Sequence, residues 1–177
     1  MTEATDEQLM QSVAGGDLDA FNELVLRYQG PAWKMAYRFL GDSMGAEDIA
    51  QETFLKILAA AHRYRPTATF RTYFYRILSR LCLDHARKMH PSKIGDIPDV
   101  CDSSLGPAEI LIDTERRVQI HTALDSLPPN QKAAIILRHY EGLSYAEIAQ
   151  VLSVTPKAVE GLISRAGTSL RARLSPL

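Results

Sequence analysis

The sequence predicts an all-α protein: two small helical domains joined by a flexible linker. Three observations predict it. Strand signals, short runs of β-branched and aromatic residues bounded by turn formers, are nearly absent. Apolar residues recur instead at helical spacing over most of the 177 residues. Over residues 91–107 that period lapses into a stretch containing Pro, Gly, Ser and Asp, which reads as a linker between domains at about 1–90 and 108–177. A chain of this length can bury one or two real cores.

The elements follow in order. Residues 6–13 form a short helix that ends at Gly15-Gly16. Asp17 caps a second, with Leu18, Phe21, Leu24 and Val25 on one face. Gly30-Pro31 interrupts or kinks it, and Trp33, Ala36, Tyr37 and Leu40 carry the pattern to a stop at Gly41. Trp33 reads as a core residue. Residues 45–61 form the next helix. Its buried stripe is Ala46, Ile49, Ala50, Thr53, Phe54, Ile57 and Leu58, and Glu47, Asp48, Gln51 and Glu52 lie on the other side, near the end where the helix dipole favours carboxylates. Pro66 breaks a loop over 62–69, and Thr69 caps a long helix reaching about residue 89. There Phe70, Phe74, Ile77, Leu78, Leu81 and His85 face the bundle, while Arg71, Tyr75, Arg76, Arg80, Asp84 and Arg87 point elsewhere.

Beyond the linker, residues 109–127 resume a helix through Ile112, Val118 and Leu124, broken by Leu127-Pro128-Pro129-Asn130. Residues 131–140 form another, stopped by Gly142. The strongest local pattern is last. Ser144 and Glu147 make a capping box that starts a short helix. Residues 153–155 turn the chain, Thr155 caps the next helix, and Pro156 takes its first position, where a missing N–H costs nothing. Val159, Leu162, Ile163, Ala166, Leu170 and Leu174 face the short helix; Lys157, Glu160, Gly161, Ser164, Arg165 and Arg171 are left outside. A short helix, a tight turn and a longer basic helix form a helix-turn-helix, which reads the major groove through the second helix's N-terminal side chains.

Charge is distributed in blocks although the net charge is only -1. Residues 1–61 carry ten acids against Arg27, Lys34, Arg38 and Lys56, whereas residues 62–90 carry Arg63, Arg65, Arg71, Arg76, Arg80, Arg87 and Lys88 against Asp84 alone. Such blocks fit one cationic and one anionic partner. In the basic block Tyr64, Phe70, Tyr73, Phe74 and Tyr75 interleave with the arginines, the pairing of charge and π-faces that single-stranded nucleic acid needs. Two cysteines, Cys82 and Cys101, give no disulfide framework, and residues 1–7 lack the basic start and apolar core of an export signal, so a soluble cytoplasmic protein is expected. Cys82 and His85 are half a metal site by spacing, with His90 and Cys101 as conceivable partners, but nothing else supplies ligand spacing. With no phosphate loop or nucleophile motif either, no catalytic residue, metal or cofactor is expected.

Three stretches together resemble the extracytoplasmic-function group of bacterial sigma factors in the sigma-70 family: AEDIAQETFLKIL at 46–58, FRTYFYRILSRLCLDHARK at 70–88 and LDSLPPNQKAAIILRHYEGLSYAEIAQVLSVTPKAVEGLISRA at 124–166. The resemblance covers residues 17 to about 174. It implies region 2 in residues 1–90 and region 4 in residues 108–177, with bacterial core RNA polymerase (β′ clamp and β flap), promoter DNA and an anti-sigma factor as partners and no membrane contact of its own. It implies that Asp48, Gln51, Glu52 and Phe54 bind the β′ clamp. It implies that Arg65, Arg71, Tyr73, Tyr75, Arg76, Arg80, Asp84, Arg87 and Lys88 engage and open the -10 element. It implies that Thr155, Lys157, Ala158, Glu160, Gly161, Ser164 and Arg165 meet the -35 element. Departures occur: Tyr73 and Phe74 stand where the family often has Trp, Arg80 where it often has Asn, and Val159-Glu160-Gly161-Leu162 where it commonly reads V-K-S-R. Glu160 either accepts from a cytosine amino group or weakens phosphate affinity. The rival reading, a stand-alone helix-turn-helix regulator, accounts for residues 140–174 but leaves 46–88 without a role.

Overall fold

The computed structural model describes residues 2–88 and 107–174, with side chains in the second stretch from residue 114. The described residues form eight α-helices and no strand: α1 (Asp6–Ala14), α2 (Leu18–Leu40), α3 (Ser43–Ala60), a 3-10 turn at Ala61–Arg63, α4 (Phe70–Lys88), α5 (Pro107–Asp125), α6 (Pro129–His139), α7 (Tyr145–Leu152) and α8 (Pro156–Leu174). The expected linker lies outside the described residues, with His90 and Cys101, except that Pro107 opens α5.

Local chemistry sets the boundaries. Thr5 and Gln8 close a capping box on α1 at 3.2 and 2.9 Å, and the Asp17 carboxylate accepts from the first N–H groups of α2 at 3.0 and 3.1 Å. Asp42 does the same for α3, which therefore starts earlier than its apolar stripe suggests. Gly30-Pro31, expected to interrupt or kink the helix, does not interrupt it: α2 runs through Pro31. A proline removes one ladder bond, but Leu24, Ala32, Met35 and Ala36 on the same face are all buried, and that packing holds the helix through the defect. Gly41 then stops α2 in the left-handed region at φ 72°, its N–H on the Tyr37 carbonyl at 2.8 Å.

In the first half, α1 to α4 enclose Met10, Leu24, Met35, Phe39, Ile57, Phe70, Phe74 and Leu78. Tyr28 wedges between the Phe70 and Phe74 rings, at 5.1 and 4.7 Å between centroids, while its hydroxyl donates to Asp6. In the second half, α5 to α8 bury Leu124, Leu127, Ala134, Ile136, Leu137, Leu143, Ile148, Val159 and Ala166. The halves also touch, a contact the apolar periodicity does not announce: α4 packs on α6 and α7, and α2 on α5 and α6. No helix among the described residues is long and apolar enough to cross a membrane.

Candidate functional site

Three helices carry the candidate residues, each to a different outcome. On α8 the expected outer side is open, but Leu174, expected to face the short helix, is exposed as well. The Thr155 hydroxyl accepts from the Ala158 N–H at 3.1 Å, fixing the start of the helix, and Val159 and Ala166 are fully buried beneath it. Thr155, Lys157, Ala158, Glu160, Ser164 and Arg165 are therefore exposed together on the outer side. Gly161 lies half-buried among them because the Arg165 guanidinium folds back over it; a Cβ at Gly161 would sit 3.4 Å from that group. The turn before α8 passes through Ser153 in the left-handed region (φ 55°), and the Ser144–Glu147 capping box, at 2.7 and 3.1 Å, starts α7. The Ser144 backbone N–H bound to Glu147 holds that carboxyl below its ordinary range.

On α3, Asp48, Gln51 and Glu52 are exposed, Glu52 facing Lys56 at 3.9 Å one turn on. Phe54 is not with them. It is buried, 8% exposed, and packs toward Phe74 with ring centroids 6.1 Å apart. The helical period puts Phe54 on the same stripe as Ala50 and Ile57, so it supports the face from beneath and cannot form its surface. The exposed apolar members are instead Leu55 (65%) and Met44 (76%), which share the outer side with Asp48 and Gln51 at spacings of three and four. Leu55 was legible as the apolar residue that falls off the stripe.

On α4 the candidates divide. Arg76, Arg80, Arg87 and Lys88 are exposed and Arg65 is exposed on the preceding loop; Arg87 pairs with Asp84 at 3.6 Å. Tyr73 is half-buried edge-on against Tyr64, 5.1 Å between centroids, and burial raises its phenol pKa. Tyr75, expected to point away from the core, is buried at 3%. Its ring lies 4.9 Å from that of fully buried Phe74, and the α6–α7 turn meets its hydroxyl. Its hydroxyl donates to the Glu141 carboxylate at 2.6 Å, and burial, then that bond, push its pKa far up. Arg71 donates to the Glu141 backbone carbonyl, and Arg76 places two N–H groups on the Gln150 carbonyl at 3.2 and 3.1 Å. From α2, Arg38 reaches the other Glu141 oxygen at 3.5 Å and lies 4.1 Å over the Tyr140 ring.

A second polar contact joins α2 to α5 and α6. Buried Lys132 donates to the Phe39 carbonyl at the end of α2 and to Asp125 at 2.6 Å. His121 also holds Asp125, at 3.1 Å, with its ring against Gly41, where any Cβ would collide with it. Burial works to raise the Asp125 carboxyl, but the hydrogen bonds from His121 and Lys132 outweigh it and hold the group below its usual range. Cys82 is wholly buried, which pushes its thiol up to about 12, and among the described residues no group of three or more His, Cys, Asp or Glu is arranged to hold a metal ion. The arrangement offers one acidic and apolar surface on α3, one basic surface on α4 with its tyrosines partly or wholly covered, and the exposed outer side of α8.

Comparison with known proteins agrees with that layout. The family model described as Sigma-70 region 2 matches residues 24–90, and that of Sigma-70, region 4 matches residues 117–168. The chain is 31% identical to the RNA polymerase sigma-H factor of Pseudomonas aeruginosa, over 100% of this chain and 97% of that protein. It is 34% identical to the ECF RNA polymerase sigma factor SigE of Mycolicibacterium smegmatis, over 98% of this chain and 70% of that protein. Among solved structures, CnrH in complex with the cytosolic domain of CnrY is similar with a TM-score of 0.74 at 28% identity, covering 96% of each chain.

Proposed function

This chain belongs to the sigma-70 family, in its extracytoplasmic-function group, and from that premise we propose how its surfaces are shared between polymerase and promoter. The protein is an alternative sigma factor: it joins core RNA polymerase, directs it to promoters and is controlled by an anti-sigma factor. It works in the cytoplasm, by binding and positioning rather than by catalysis. Residues 1–90 form region 2, 91–107 the linker and 108–177 region 4.

The exposed side of α3 is the dock for the β′ clamp, with Asp48, Gln51 and Glu52 supplying charge and polarity and Leu55 and Met44 the apolar centre. The α4 surface with Arg65 engages the -10 element. Unstacking a base step costs a few kcal/mol, and stacking of freed bases at about 1–3 kcal/mol each, with phosphate contacts, offsets it. Tyr73 and Tyr75 offer the flat faces, and Arg71, Arg76, Arg80, Arg87 and Lys88 the charge, Asp84 orienting Arg87. The outer side of α8 enters the -35 major groove, with Lys157 and Arg165 as its cations. Two modest contacts on one tether raise each other's effective concentration.

The observation that carries this reading is that α3, α4 and α8 present acidic, basic-aromatic and helix-turn-helix surfaces in that chain order, within a chain matched along its length by sigma factors. The test is transcription of a genomic library by bacterial core enzyme with and without the protein, followed by sequencing of RNA starts. A new set of starts sharing two upstream elements is expected. Unchanged starts, together with tight operator binding by the free protein, would establish the stand-alone regulator instead.

A further inference from the structure

Helix α1 belongs to none of the surfaces on α3, α4 and α8, and the match to region 2 begins only at residue 24. Its first turn nevertheless reaches the start of α4. The Glu7 carboxylate accepts the Phe70 backbone N–H at 2.7 Å, across 63 residues of chain. The first N–H groups of a helix have no partner within it and carry the positive end of its dipole. On α4 the Thr69 hydroxyl accepts from the Thr72 N–H at 3.2 Å, but the first turn holds no acid of its own. Glu7 therefore supplies, from another helix, the carboxylate that α4 lacks. The neighbouring acid anchors it. Asp6 accepts from Arg27 at 2.8 Å and from Tyr28, whose ring lies against Phe70 and Phe74, while Met10 and Val13 bury the rest of α1. The loop before α4 is caught in the same junction. Tyr64 is 8% exposed and meets Tyr73 edge-on; burial, then the Glu7 charge, raise its phenol. Arg65 follows it in the chain, and Arg71 and Tyr73 stand in the first turn of α4.

We propose that Glu7 is a positioning residue for promoter opening: by pinning the first turn of α4 to α1 it holds Arg65, Arg71 and Tyr73 where they meet the -10 element. It acts through those groups rather than on DNA. A surface that spends only part of its time in the competent arrangement captures with affinity reduced by that fraction. The loss matters most where capture must offset unstacking, and least on DNA that is already open. The proposal rests on the assignment of α4 and Arg65 to DNA, and the test separates the two.

The full chain is joined to core enzyme as the parent, Glu7→Ala, Glu7→Gln and Val13→Ala. The last removes packing from the buried side of α1 and leaves Glu7 in place, so it shows what lost stability alone does. Thermal melts rank the variants, and anisotropy titrations of core enzyme check docking. The probes are a duplex promoter recovered by start-site mapping and the same promoter with mismatches across its -10 element. Permanganate oxidation of unpaired thymines reads opening of the duplex, and run-off transcription reads both templates. Glu7→Ala is expected to lower opening and run-off on the duplex about tenfold, the effect of one charge-assisted hydrogen bond. Its core affinity and its run-off from the mismatched promoter should stay close to the parent's. Glu7→Gln, whose amide oxygen can accept the same N–H, should keep most of the opening; a Glu7→Gln as impaired as Glu7→Ala overturns the bond to Phe70 as the cause. An equal loss on both templates, or a loss matched by Val13→Ala at the same thermal midpoint, leaves Glu7 a role in stability alone and overturns the proposal. So does full duplex opening by Glu7→Ala when the double variant Arg65→Ala, Arg80→Ala opens poorly. If that double variant opens normally as well, the α4 assignment fails and the proposal falls with it.

Discussion

Adjacent residues on α3 make opposite predictions. Phe54 is 8% exposed and Leu55 65%. Truncating a buried Phe costs about 3–5 kcal/mol in lost transfer energy and cavity. For a protein of this size that lowers the thermal midpoint by roughly 6–20 °C. Leu55→Ala leaves the core untouched and replaces Leu by the best helix former, so its stability stays within about 0.5 kcal/mol of the parent. Its cost falls on docking. Burying a whole Leu side chain is worth about 1.5–3 kcal/mol, and roughly two thirds of this one is still open, leaving about 1–2 kcal/mol for a partner to gain. Removing it weakens association with core enzyme roughly 5–30-fold. The assay pairs thermal melts with anisotropy titrations of core polymerase, run where both variants are folded. Full core affinity in Leu55→Ala, with a tenfold loss in folded Phe54→Ala, would refute the assignment and show that docking pries Phe54 out.

Other outcomes follow from single groups. Ser153 sits in the left-handed region at φ 55°, so Ser153→Gly relieves about 1–2 kcal/mol of backbone strain against a smaller unfolded-state entropy cost, and a melt should shift up by about 1–4 °C. Asp125 has a folded pKa below its ordinary 3.8, so its contribution is full above that value and is lost as pH falls through the depressed one. Asp125→Asn should flatten that part of the acid limb in melts taken across it. Cys82, its thiol raised to about 12 by burial, should resist alkylation in the native protein and react in denaturant, read by mass spectrometry.

What could be read from the chain was what depends on near neighbours. The caps at Asp17, Thr69, Ser144 and Thr155 are bonds between residues two or three apart, and each forms as the residue types suggest. Pro31 does not interrupt α2, because local propensity is overridden where Leu24 and Met35 bury the helix on both sides of it. Phe54 shows two signals in conflict: its period places it in the core and the family resemblance placed it on the dock, and burial follows the period. Tyr75 marks the limit of that method. The helical period sets it outside the first half's core, yet it is buried, with Phe74 against its ring and Glu141, 66 residues away, on its hydroxyl. Non-local covering of this kind has no period to betray it. Leu55 was visible in principle, as an apolar side chain off the stripe.

The named polar bonds between the halves differ in chemistry from the contacts inside either core. Within each half the buried residues are mostly apolar, Leu, Ile, Val and Ala in both and Met and Phe in the first, and such contacts survive salt. Between them the named bonds run from Lys132, Arg71 and Arg76 to carbonyls near the ends of α2, α6 and α7, with carboxylates of Glu141 and Asp125 beside them. Carbonyls in the last turn of a helix lack ladder partners and carry the negative end of its dipole, so a cation is a good match. They are equally well served by water once exposed. Guanidinium groups of this kind match phosphates as readily as carbonyls. Lys132 is buried at 8% and bound on both sides, and it sits with the α2 terminus.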